Sequence, residues 1–262
     1  MMEMEKRKKK PAEIILHWLL PVLAISLIIG GWIWFATNNP HLMPNPRQVF
    51  ERLIRTFTRP VAKATLFGHI LASLQRVLLA LVCAWFFGIG LGILLGWNRA
   101  CKAIIGTLFE IIRPIPPIAW IPIIILWFGI DEFPKVLIIF IGTFVPCVIN
   151  TAAGIAMVDK INIDVGRIFG GNKYQILGQI VIPTALPSIF AGVRTSVSSG
   201  WTTMLAAEMI AAQRGLGSLV MRGWQGFDMA LVMVGVITIA IVGAFLAFSL
   251  AILEKAACPW TK

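Results

Sequence analysis

Residues 164–187 read DVGRIFGGNKYQILGQIVIPTALP, a charged amphipathic stretch set between two long apolar runs. Val165, Ile168 and Phe169 recur at i, i+3, i+4, and Leu177, Ile180 and Val181 repeat the stripe with Tyr174 one turn before. This spacing predicts two short amphipathic helices. Gly170-Gly171 suits the C-terminal cap of the first, and Asn172 with Gln175 suits a capping box for the second. Asp164 is expected in the first turn of the first helix, where the helix dipole favours an acid. Pro183 and Pro187 are expected to stop the second helix and launch the next apolar run. Helices this short are not stable alone in water. They need a surface: the bilayer, the ends of neighbouring helices, or a partner protein.

The flanks explain why such a surface is at hand. Of 262 residues, 58% are hydrophobic and 13% charged, a composition of the membrane class. Apolar stretches at about 14–36, 70–97, 104–128, 136–158, 186–212 and 229–254 each reach the length that a bilayer core requires. The expected fold class is an all-α membrane protein with six transmembrane helices. The first run follows Lys6–Lys10, is too long for a signal-peptide core and lacks a small-x-small cleavage site, so it reads as a retained helix. A basic tail beside a membrane helix is read as a cytoplasmic anchor rather than a nucleic-acid arm. Six spans then place both termini in the cytoplasm. Lys and Arg number 12 on the expected cytoplasmic segments against 8 outside, with Arg47, Arg52, Arg55, Arg59 and Lys63 crowding the outer segment 37–69. Trp18, Trp34, Trp97 and Trp127 fall near span ends, as an aromatic belt would put them. Anionic headgroups are sufficient partners for the net charge of +11. The chain divides into 1–69 (tail, first span and an outer amphipathic segment), a core over 70–254 with the polar insert at 160–183, and a tail at 255–262.

Within the spans, Gly88, Gly92 and Gly96 repeat every four residues and predict close helix packing, inside the chain or between copies. Pro114, Pro116, Pro117 and Pro122 obstruct a regular third helix, and irregular backbone at membrane depth belongs beside buried protein or a wet cavity. Arg76, Glu110, Arg113, Arg194 and Glu208 are ionisable residues well inside spans, where they are costly unless paired. Span direction sets their depth. Arg76 and Glu208 share the outer level and are expected to pair; Glu110 is expected to pair with Arg113 or Arg194 at the inner level.

The insert resembles the signature loop of the permease subunits of type I ABC importers. That family carries "EAA", three residues, "G", nine residues, then "I-x-LP", the EAA motif. This chain has Asp164-Val165-Gly166, three residues, Gly170, nine residues, then Ile180-Val181-Ile182-Pro183. The spacing matches; Asp replaces Glu, Val-Gly replaces Ala-Ala, and Ile replaces Leu. MPNPRQVF, HILASLQRVLLAL, RPIPPIAWIPIIILWFGI and GWTTMLAAEMIAAQRGLGSLV are similar to the nitrate/sulfonate/taurine branch, over about residues 40–255, with the stretch from Trp201 to Gly217 most like the taurine permeases.

The resemblance implies a homodimer of permeases clasped by two ATPase subunits, with an extracytoplasmic binding protein delivering a taurine-like or other alkanesulfonate solute across a bacterial inner membrane. Nitrate, bicarbonate and pyrimidine or thiamine precursors are the alternatives. It also assigns the insert as a coupling helix: Asp164, Val165, Gly166, Arg167, Phe169, Gly170, Gly171 and Asn172 would meet the ATPase. Arg113, Pro114, Pro116, Pro117, Trp120, Trp201 and Glu208 would border the translocation path. ATP and magnesium would sit on the partner, with no cofactor in this chain.

The residues limit the rivals. No GxxxxGK[ST] phosphate loop occurs, so ATP hydrolysis is not expected here. A secondary transporter needs internal repeats and a coupling-ion site; no repeat stands out. An intramembrane enzyme needs a nucleophile–base pair or metal ligands, yet His17, His41 and His69 all lie near span ends and Cys83, Cys101, Cys147 and Cys258 are scattered.

Overall fold

The computed structural model describes residues 11–40 and 42–258. The anchoring role of Lys6–Lys10 and the belt position of Trp18 fall outside the described residues and side chains.

The described chain is helical, with one isolated bridge between Val61 and Ala64. Five helices are long and apolar enough to cross a membrane, and a sixth crossing is made if a bent pair is counted as one span. Helix α1 (Pro11–Asn38) lies on the periphery and, from Leu19 to Asn38, presents most of its side chains outward. It is tied down at its end, where the Trp32 indole N–H donates to Pro44 O at 3.0 Å and Ala36 is buried. Helix α2 (Pro46–Thr58) begins on a capping box, Asn45 with Gln48. Val49 turns inward while Phe50, Ile54 and Phe57 face out, as an interfacial helix requires.

The core is a three-helix stack. Helix α3 (Leu66–Trp97) packs on α6 (Glu132–Ala156), and α6 packs on α8 (Lys173–Ile210). Small residues set the first seam. A Cβ on Gly92 would stand 2.5 Å from Thr151 Cβ, and one on Gly96 would stand 2.6 Å from Ile155 Cβ. The glycine repeat is therefore spent inside the chain, on α6. The second seam is small too: Gly154 faces Ser188 and Gly192 faces Asn150. Helices α9 (Leu216–Gln225) and α10 (Met229–Ala257) form a hairpin whose apolar cluster, Leu216, Leu219, Leu231 and Val234, also takes in Val49 and Leu66.

One expectation about continuity holds and one needs correction. The third apolar run is not one regular helix, as its prolines predict. It is α4 (Arg99–Ile112) and α5 (Pro117–Phe128), bent by 84° where Pro114, Pro116 and Pro117 withdraw their amide donors. The second insert helix does not stop at Pro183. It continues through Pro183 and Pro187 as α8, by way of a π-helical turn at Leu177–Val181 in which the Ile182 N–H reaches back to Leu177 O. The wider turn shifts the carbonyls against which the Pro183 ring would collide. The insert thus contains one free-standing short helix, α7 (Lys160–Ile168), and the first turns of a long one.

Candidate functional site

Helix α7 is held at both ends. Asp159 caps it, its Oδ1 accepting from the Ile161 N–H at 2.9 Å. Asp164 is therefore a full turn further in than the first turn expected for it, and it pairs with Arg167 at 3.0 Å on an exposed face. At the far end the Gly171 N–H donates to Gly166 O and the Gly170 N–H to Arg167 O. That is the paired closure of a Schellman turn, with Gly170 at φ +79° in the left-handed region. Asn172 then opens α8, accepting from the Tyr174 and Gln175 N–H groups while its own N–H donates to Gln175 Oε1.

Gly166 explains how α7 lies down. A Cβ there would meet Ile180 Cδ1 at 2.6 Å, so the bare backbone rests on the first turns of α8. The rest of the helix divides by periodicity. Ile161, Val165 and Ile168 form a stripe at i, i+4, i+7 that, with Phe169, stays exposed; Phe169 is 86% accessible. Ile161 extends the stripe beyond the residues singled out from the sequence. Beside it, a cleft of about 430 Å³ opens between α7 and α8, lined by Val165, Phe169, Gly170, Gln175, Gln179 and Ile180. Ile161, Val165, Ile168 and Phe169 are large apolar side chains held outward on and just beyond a nine-residue helix, the kind of surface that a partner covers.

At the other end of the bundle lies a buried charge cluster. Arg76 Nη1 reaches Glu208 at 2.6 Å, and Glu208 has no exposed surface. The same guanidinium forks onto Glu132 through Nε and Nη2 at 2.6 and 2.9 Å and donates to Arg214 O at 2.7 Å. Glu208 also accepts from Ser73 Oγ and from the Gly217 N–H, each at 2.9 Å. Lys135 joins through Glu132 at 3.0 Å. His69 sits one turn before Ser73, its Nε2–H donating to Val61 O at 2.9 Å and its Nδ1 accepting from the Gly215 N–H at 3.0 Å. Three helices, α3, α6 and the end of α8, and the loop before α9 are thereby clamped to one guanidinium. Arg76 and Glu208 were legible as partners. Glu132, Ser73 and His69 were not, because a residue at a span end or a neutral one gives no signal of burial.

The other ionisable residues separate. Glu110 pairs with Arg113, just past the end of its own helix, at 2.8 Å. Arg194 does not approach Glu110; it pairs with Glu254 on α10. Of the residues expected beside a path, Pro114, Pro116 and Pro117 make the exposed bend, and Arg113 lines a cleft next to it. Trp120 packs into a cluster with Ile121, Ile124 and Ile138. Trp201 is wedged between two core clusters with its indole N–H on Ile239 O at 3.2 Å, and Glu208 is sealed inside, so both stand in the packing rather than on an open wall. One feature was missed. Arg194, Thr195, Ser198 and Thr202 form an exposed polar stripe along α8. Helical spacing of Ser and Thr inside an apolar run was the available signal.

The model of the family described as binding-protein-dependent transport system inner membrane component matches residues 88–260. The taurine transport system permease protein TauC of Escherichia coli is 35% identical over 246 residues, 92% of this chain and 89% of that protein. The putative aliphatic sulfonates transport permease protein SsuC of Bacillus subtilis is 30% identical over 262 residues, 98% of this chain and 92% of that one. Among solved structures, an inward-facing conformation of the MetNI methionine ABC transporter superposes with a TM-score of 0.65 at 17% identity, covering 73% of this chain and 95% of that chain, a likeness of fold.

Proposed function

The chain belongs to the family of binding-protein-dependent transport system inner membrane components, and on that premise we propose that it carries a small sulfonate such as taurine, driven by an ATPase docked on α7. It is the multi-pass permease subunit of an ABC importer and not itself an enzyme. The finer reading concerns cargo, coupling and assembly. It includes two ATPase subunits that hold the ATP and magnesium, a second copy of this chain, an extracytoplasmic binding protein and a bacterial inner membrane.

The observation that carries the coupling is the outward apolar stripe of α7, Ile161, Val165, Ile168 and Phe169, on a helix fixed by caps at both ends. A rigid apolar ridge passes a partner's displacement to α8 through the Gly166 contact and the continuous helix beyond it. The α8 stripe favours a path shared between copies. Hydroxyls and an arginine on the outside of a span are costly toward lipid, so they belong against water or a second subunit. The sulfonate cargo is supported by the 35% identity to TauC over nearly the whole chain.

Proteoliposomes holding the permease with the ATPase that co-purifies with it test this reading. Taurine-loaded binding protein is expected to stimulate ATP hydrolysis and drive taurine uptake. Stimulation by nitrate- or bicarbonate-loaded protein instead would replace the cargo. Failure to retain any ATPase would remove the coupling role of α7.

A further inference from the structure

At the end of the bundle that carries α7, two clefts run into one another. The first, of about 790 Å³, is bordered by Arg99, Lys102, Lys160, Arg167 and Lys173. The second, of about 370 Å³, lies between α3, α4 and α6 and is walled by Leu95, Phe109, Val148, Ile149 and Ala152. Leu95, Gly96, Lys102 and Ala156 border both.

The charge of the first cleft is unbalanced. Its one carboxylate, Asp164, is taken by Arg167. Among the described residues Arg99, Lys102, Lys160 and Lys173 have no acidic partner. The four come from three separate elements: the start of α4, α7 and the first turn of α8. They gather where α3 ends at Trp97 and α6 ends at Ala156, the level at which a span leaves the hydrocarbon. The second cleft extends from that level along the spans. Its further charges, Glu110 and Arg113, neutralise each other at 2.8 Å.

We infer that this joined cleft binds an acidic phospholipid, the phosphate of its headgroup held by Arg99, Lys102, Lys160 and Lys173 and one acyl chain laid between α3, α4 and α6. A basic pocket between membrane helices selects an anionic headgroup by charge. The adjoining apolar wall is what distinguishes a lipid from a free phosphate, which would use only the basic half. The binding also reaches α7. Lys160, Ile163, Asp164 and Arg167 border the basic cleft at i, i+3, i+4, i+7, a face distinct from the outward stripe of Ile161, Val165 and Ile168. A headgroup would therefore brace the docking helix from the membrane side and leave its apolar ridge free. This depends on the spans crossing a bilayer and not on which solute is carried.

The test uses the full chain purified in a neutral detergent, with lipid binding followed by native mass spectrometry. Dioleoylphosphatidylglycerol is expected to bind about tenfold or more tightly than dioleoylphosphatidylcholine, and each of Arg99→Ala, Lys102→Ala, Lys160→Ala and Lys173→Ala to weaken it about fivefold. All four side chains are exposed, so the fold is expected to survive their loss. Ala152→Trp fills the apolar half and is expected to weaken phosphatidylglycerol while leaving the binding of inorganic phosphate unchanged. Equal binding of the two lipids overturns the inference without any variant. Displacement of phosphatidylglycerol by millimolar inorganic phosphate, with no effect of Ala152→Trp, overturns the lipid in favour of a soluble phosphate site. Displacement by taurine reassigns the cleft to the transported solute and overturns it as well.

Discussion

The Arg76 cluster yields a prediction whose sign is counter to simple bond counting. Arg76→Met removes every hydrogen bond the guanidinium makes, to Glu208, Glu132 and Arg214 O. The two carboxylates left behind fare differently. Glu132 is 62% exposed in its side chain and keeps Lys135 at 3.0 Å, so water and one cation replace what it loses. Glu208 is wholly enclosed and keeps only Ser73 and the Gly217 N–H. An abandoned buried charge costs about 3–5 kcal/mol. Glu208→Gln leaves Arg76 its bidentate hold on Glu132 and lets the amide oxygen keep the Gly217 donor, so it is expected to cost about 1–3 kcal/mol. Adding Glu208→Gln to Arg76→Met removes the stranded charge. The double variant is therefore expected to be more stable than Arg76→Met alone, by about 1–2 kcal/mol, a coupling within the range seen for residues in contact. Reversible unfolding of the purified chain, titrating a denaturing detergent into mixed micelles, reads all three values. Additive losses, or an Arg76→Met variant within about 0.5 kcal/mol of the parent, would falsify the assignment of Glu208 as a charge held by Arg76.

Other substitutions probe α7, as the proposed docking helix, and the packed seam. Gly170→Ala meets open space but must hold φ +79°, so it is expected to cost about 1–2 kcal/mol locally and to lower ATP-driven uptake more than binding of the ATPase; Gly170→Asn, which tolerates that region, is expected to restore most of the uptake. Asp159→Ala removes the cap on Ile161 and is expected to loosen α7 by about 1 kcal/mol, read as faster amide hydrogen exchange across 160–168, whereas Asp164→Ala, an exposed pair with Arg167, is expected to change exchange little. Gly92→Val drives a side chain into Thr151 and the Val148 carbonyl on α6 and is expected to cost more than about 2 kcal/mol in the same detergent titration, while Gly90→Val, with nothing within 4 Å, is expected to be tolerated.

What could be read without coordinates depended on how many residues shared each signal. The spans are announced by long apolar runs, and the level argument brought Arg76 to Glu208 because direction and depth follow from counting crossings. The EAA-like spacing and Gly170 likewise sit in a pattern that spans many positions. Single-residue boundaries were less secure. Asp159 and Asp164 are both acids near the start of one amphipathic pattern, and nothing local says which caps it; the stripe continues back to Ile161, which moves the helix start ahead of Asp164. Arg194 was assigned by level alone, which left Glu254 out because it marked the edge of an apolar run rather than a partner across α8 and α10.

The prolines show the limit most clearly, since the same residue acts oppositely in two places. At Pro114, Pro116 and Pro117 the donors lost are clustered, and the chain turns through 84°. At Pro183 and Pro187 they are spaced by one turn, and a π-helical turn just upstream absorbs the misfit, so α8 stays continuous from the insert into the bundle. Proline alone predicts a fault in the hydrogen-bond ladder, and only the neighbouring backbone decides whether the fault becomes a bend. The distinction bears on coupling. Had Pro183 broken the helix as expected, motion of α7 would have ended at a hinge. Because the helix runs on, a tilt of α7 against Ile176 and Ile180 would be applied to the end of a helix that extends to Ile210, beside Glu208 and the Arg76 clamp. On the proposal that α7 docks the ATPase, the helix on which α7 rests and the helix that ends at the buried charge cluster are one element, α8.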